Sequence, residues 1–115
     1  MKAKTHSNGK ALVDIVRCPG DLNAAHMVNI KSRFRRLMNQ KRRFFLLDLS
    51  HAYHVELAGL GILVDRIRQV RSQKGDVRLF NIRPEVFEML QMVGLTQVIA
   101  TYGNEEDARK SFQVA

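Results

Sequence analysis

The residues best equipped for chemistry in this chain gather between Ser50 and Gly61. His51 and His54 stand three apart with Glu56 close behind, side-chain types that can ligate a metal. A protein metal site needs further ligands at a recognisable spacing, and none follows. Gly59-Leu60-Gly61 comes after a strand and opens a helix, as a nucleotide-binding turn would. The third glycine, an acid placed to hold a ribose and a Walker lysine are all missing. Ser50, Cys18 and the four histidines show no arrangement of nucleophile, base and orienting group. The chain is therefore expected to lack catalytic residues, metal and cofactor, and not to be an enzyme.

The elements that must position this stretch are legible on either side. Phe44 to Leu49 is apolar but for Asp48 and carries no alternation, the pattern of a strand covered on both faces of a parallel sheet. Ser50 to Val55 reads as a loop, and from Glu56 onward Leu60, Leu63, Val64, Ile67 and Val70 keep a helical period up to about Ser72. Upstream, Ala11 to Arg17 is a strand broken by Pro19-Gly20, and Asp21 or Asn23 can cap a helix with Met27, Ile30, Phe34 and Leu37 on its inner face. Downstream come a strand from Val77 to Ile82 and a helix started by Pro84 and stopped by Gly94, with Val86, Phe87, Leu90 and Met89 or Val93 turned inward. A short edge strand follows at Val98 to Ala100, and a last helix is capped by Asn104 with acids over its dipole. Alternation of this kind predicts an α/β domain: a central mixed or parallel sheet of about four to five strands with about four helices.

At 115 residues the chain fits one domain, 1–115, in which 1–9 form a tail or a leading strand. No apolar run reaches the ~20 residues of a membrane span, and the start has no signal-peptide core, so a cytoplasmic protein is expected. The single Cys18 cannot form an internal disulfide and reads as a plain structural or surface cysteine. A formal charge of +8 is the unusual figure. Lys31, Arg33, Arg35, Arg36, Lys41, Arg42 and Arg43 form its densest cluster, to which Arg66, Arg68, Arg71 and Arg78 add. Without interleaved aromatics or a recognition-helix pattern, a solvated face is favoured over nucleic-acid binding.

The order of elements and four motifs resemble the STAS domain, shared by bacterial anti-sigma-factor antagonists and the cytoplasmic tails of sulphate transporters. The resemblance runs from Ala11 to Phe112. It rests on Gly20-Asp21-Leu22-Asn23, Leu47-Asp48-Leu49-Ser50, Glu56-Leu57-Ala58-Gly59-Leu60-Gly61 and Met92-Val93-Gly94-Leu95. In that family the three residues before Gly-Leu-Gly are typically Asp-Ser-Ser, and a partner kinase phosphorylates the second serine. Here they are Glu56, Leu57 and Ala58, so the resemblance implies that no phosphate is accepted at Ala58.

By the same resemblance, the partner-binding residues are expected to be Asp21, Asn23, His54, Glu56, Leu57, Ala58, Gly59 and Leu60. The implied role is regulation by protein docking, in the manner of an anti-sigma factor antagonist. The partner would be an anti-sigma factor or kinase-like switch protein, a sensory assembly or a transporter subunit; a homodimer stays open. The alternatives are a small-molecule or nucleotide-binding module and a transporter's STAS subunit.

Overall fold

The computed structural model describes residues 12–112. In chain order it contains strand β1 (Val13–Arg17), helix α1 (Ala24–Asn39), β2 (Phe44–Asp48), α2 (Leu57–Ser72), β3 (Asp76–Phe80), α3 (Pro84–Met92), a 3-10 turn (Leu95–Gln97), β4 (Thr101–Tyr102) and α4 (Glu105–Lys110). The proposed tail or leading strand at 1–9 lies outside the described residues.

The four strands form one sheet in the order β1-β2-β3-β4, and each neighbouring pair is parallel. The register aligns Arg17 with Asp48 and Asp48 with Phe80, so these three residues end their strands at one rim. Parallel strands taken in sequence order need crossovers of one hand, which puts the connecting helices on a common face. Val16, Phe45, Leu47, Val77 and Leu79 meet Met27, Ile30 and Phe34 of α1, Leu60, Leu63, Ile67 and Val70 of α2, and Val86 and Leu90 of α3. Phe34 stacks on Phe45 with ring centroids 4.8 Å apart. The opposite face is covered by α4: Leu46 and Phe80 pack with Ala108 and Phe112. The run of four apolar residues from Phe44 to Leu47 follows from this, since their side chains alternately enter two different cores.

Capping chemistry sets the helix starts. The Asn23 side chain accepts the His26 N–H at 2.9 Å and begins α1, and Asn104 accepts the Asp107 N–H at 2.8 Å and begins α4. Gly94 takes φ +82° and ends α3, as expected.

Three details depart from the sequence reading. Val98 to Ala100 is not a strand: Val98 and Ile99 donate back to the Leu95 carbonyl, and β4 forms only at Thr101. Apolar letters marked burial there, but the 3-10 turn satisfies the backbone first. Met89 and Val93 are exposed, because α3 turns only Val86 and Leu90 fully onto the core. Arg66, counted toward the overall positive field, is 6% exposed and lies at the α1 side of α2 against Met38, where a charge is unusual.

Candidate functional site: a loop rim continued by an apolar groove

The loops after β1 and β2 are joined to each other at the rim where Arg17, Asp48 and Phe80 end. Leu22 and Val55 form a parallel bridge; Leu22 N–H donates to the His54 carbonyl and Glu56 N–H to the Leu22 carbonyl, both at 3.0 Å. Asp21 secures the pairing. One carboxylate oxygen accepts the N–H groups of Tyr53 (2.8 Å) and His54 (3.0 Å), and the other lies 3.2 Å from His54 Nδ1. The Tyr53 N–H, then the His54 N–H, hold the Asp21 carboxyl below the usual carboxylate range.

Beneath this pair, Asp48 is 2% exposed. Burial alone would raise its pKa, but the Ser50 N–H and the Arg17 guanidinium, each 2.9 Å away, outweigh it and leave the carboxyl lowered. Asn81 adds a longer contact at 3.5 Å. Cys18 is fully buried and points its Sγ at the Gly20 carbonyl, 3.0 Å away. Burial pushes its pKa up, so the thiol stays protonated and unreactive. The third loop is tied in by Arg83, which donates to the Ser50 carbonyl at 3.1 Å and the Tyr53 hydroxyl at 2.6 Å. Its guanidinium stacks 3.8 Å above the Tyr53 ring.

The eight residues singled out from the sequence are brought to this rim, but in different states. Asn23 is occupied as the α1 cap. Gly59 and Leu60 are buried. Gly59 lies against the backbone of Leu22 and Asn23, which lets the first turn of α2 close onto the first loop. Asp21 is half-buried and structural in its hydrogen bonds. His54, Glu56, Leu57 and Ala58 face outward. Leu57 is 75% exposed, unusual for a leucine in the first turn of a helix.

Leu57 does not stand alone. It opens a shallow groove of about 440 Å³ that runs along α2 past Gly61, Val64 and Arg68, with Val93 and Leu95 on the far wall. Met92, in the last turn of α3, is 76% exposed, and Met89, Val93 and Val98 are also exposed. Gly61 has open space where a side chain would stand, so it widens the groove. Sequence periodicity missed this surface by assigning Met89 or Val93 to the core. The available signal was an excess of apolar residues over what a nine-residue helix can bury on one side. Arg83 and Tyr53 were also missed, since only the fold brings them together.

Among the described residues, no helix is long and apolar enough to cross a membrane. No group of three or more His, Cys, Asp or Glu side chains among them is placed to hold a metal ion.

Comparison with known proteins agrees with this architecture. The chain is 23% identical to the anti-sigma F factor antagonist of Paenibacillus polymyxa over 101 residues, which covers 87% of this chain and 86% of that one. The NMR structure of protein TM1081 of Thermotoga maritima superposes with a TM-score of 0.77 at 19% identity, over 97% of this chain and 93% of that one. The unphosphorylated anti-sigma factor antagonist SpoIIAA superposes with a TM-score of 0.68 at 19% identity, covering 84% and 85% of the two chains. The STAS domain profile matches residues 4–108, nearly the whole length, and the chain belongs to the STAS domain family.

Proposed function

We propose that this protein is a non-enzymatic regulator that docks a partner protein through the rim of the β1 and β2 loops and the apolar groove beside α2, in the manner of an anti-sigma factor antagonist. The observation that carries the reading is Leu57, exposed at the start of α2 and continuous with Val93 and Leu95 across the groove. An exposed apolar strip with a polar margin, here Glu56 and His54 at one end and Arg68 at the other, is the composition of a protein interface. Met92 beside it adds a flexible apolar side chain that adapts to a partner surface. Of the eight residues named from the sequence, His54, Glu56, Leu57 and Ala58 make the contacts, while Asp21, Asn23, Gly59 and Leu60 hold the loops in position.

By the STAS resemblance, Ala58 takes the place of the serine that a partner kinase phosphorylates, so on this reading the docking edge stays in one charge state. Its first-turn N–H groups would stabilise a phosphate, and the missing hydroxyl is what prevents one.

The test pairs capture with substitution. Wild-type protein and Leu57→Asp are immobilised, exposed to lysate of the source cells, and the bound proteins identified. A kinase-like or anti-sigma protein retained by the wild type and lost from Leu57→Asp supports the reading; identical retention by both defeats it. With the retained kinase and ATP, Ala58→Ser should gain one phosphate while the wild type gains none between Glu56 and Gly61.

A further inference from the structure

The charge of this chain is strongly segregated. Between Leu22 and Leu47 there is no acidic residue, while α1 and the turn after it carry Lys31, Arg33, Arg35, Arg36, Lys41 and Arg42. The neighbouring α2 contains Arg66, Arg68 and Arg71 against the single acid Asp65. Asp65 is engaged with Lys31 across the two helices at 3.4 Å. Arg42 and Arg71 are paired with Asp14 and Asp76. No such partner reaches Arg35, Arg36, Arg66 or Arg68 among the described residues.

Arg66 is the unusual member. It is 6% exposed, its Nε has no hydrogen-bond partner among the described residues, and Nη1 lies 3.8 Å from the Met38 sulfur, a weak acceptor. Its charge sits in the seam between α1 and α2, where burial and the nearby Arg35 both disfavour it. A guanidinium in that position is costly until an anion reaches it.

We propose that the α1–α2 face is a second docking surface, separate from the loop rim, that receives an acidic segment of a protein, with a carboxylate of that segment paired to Arg66. The chemistry of the seam selects this occupant. A glutamate carries its carboxylate on a flexible stem that enters between helices, and Arg offers it a bidentate fork. A duplex phosphate sits on a stiff backbone that cannot enter. Phe34, the only Phe, Tyr or Trp of α1, is buried, the His26 ring is engaged with the Asp21 carbonyl, and α2 has no aromatic residue, so neither helix offers a free ring for stacking on bases. A membrane surface needs apolar side chains to insert, and Val28 is the only large apolar residue that α1 exposes. The inference does not depend on the docking role proposed for Leu57.

The test uses the whole chain and a fluorescent glutamate-rich peptide at low salt. Charge-matched duplex DNA and vesicles of phosphatidylcholine with phosphatidylserine serve as competing probes. The peptide is expected to bind most tightly. Arg66→Met should weaken it by about tenfold or more, with an unchanged or higher melting temperature because an unpaired buried charge has been removed. Arg35→Gln should weaken binding as well, and it reports independently if Arg66→Met does not fold. Arg109→Gln on α4 should leave binding unchanged. The proposal is overturned if both seam variants bind like the wild type, if Arg109→Gln costs as much as they do, or if DNA or vesicles bind more tightly than the peptide.

Discussion

A β-carbon placed on Gly59 would stand 2.5 Å from the carbonyl oxygen of Leu22. That oxygen accepts the Glu56 N–H, so a methyl group there must either break the pairing of the two loops or push α2 outward. Gly59→Ala is expected to destabilise the fold by about 1–3 kcal/mol. Gly61, two residues on, meets nothing within 4 Å, and Gly61→Ala should be neutral or stabilising by up to about 1 kcal/mol. Urea unfolding of the two variants checks this, and equal midpoints would refute the division of labour between the glycines.

This pair also shows what the letters of the sequence hold and what they withhold. Gly59 and Gly61 are indistinguishable as residues; one is required by a carbonyl contributed from a distant loop, the other is open. Helices α1 and α2 were legible because their apolar spacing is long and regular, and β2 because Phe44 to Leu47 are apolar in succession. The caps at Asn23 and Asn104 were legible from local chemistry. The inward or outward direction of Met89 and Val93 was not, since a short helix has room for more apolar residues than one sheet face can cover. Arg66 was unreadable for a related reason: a charged letter predicts solvent, and only the packing of α1 on α2 removes it from there.

Acid should loosen the sheet at both ends, at the rim where Asp48 closes β2 and at the opposite end where Asp76 opens β3. Asp48 and Asp76 both have carboxyls held below the ordinary carboxylate range despite burial, Asp48 by the Ser50 N–H and Arg17, Asp76 by Arg71 and Arg78. A lowered native pKa means that the unfolded chain binds protons first. The stabilisation is fully present above the unfolded value, about pH 4, and is lost as pH falls through the lower native value. The melting temperature should therefore hold from neutral pH to about pH 5 and drop below about pH 4. Asp48→Asn, which costs roughly 1–3 kcal/mol at neutral pH, should flatten that drop; an unchanged slope would contradict the assignment.

Arg83 holds the β2–α2 loop through Ser50 and Tyr53. Arg83→Ala removes two hydrogen bonds and a stacked cation, and should cost about 1–2 kcal/mol. The more specific readout is hydrogen exchange: amides of 50–55 should exchange faster, while those of β2 stay protected. Uniform exchange across the loop and the strand would rule out a local clamp.

Leu57→Asp and Met92→Ser should leave the melting temperature within about 1 °C of the wild type, because both side chains are already in water. Any loss of partner capture by these variants is then a loss of contact and not of fold. A large drop in thermal stability would mean that Leu57 packs more deeply than its 75% exposure indicates.

The two faces of the sheet are protected to unequal depth. One lies under three helices; over the other, among the described residues, α4 and the Phe112 ring cover Leu46 and Phe80. That ring is held 3.9 Å from the Arg78 guanidinium and 5.3 Å from the Phe44 ring. When such a short cover detaches, the strands keep their pairing while one apolar side becomes bare, next to the two-residue edge strand β4. Among the described residues, the cover of this face therefore rests on α4 and Phe112, and damage there is expected to appear as self-association before it appears as unfolding.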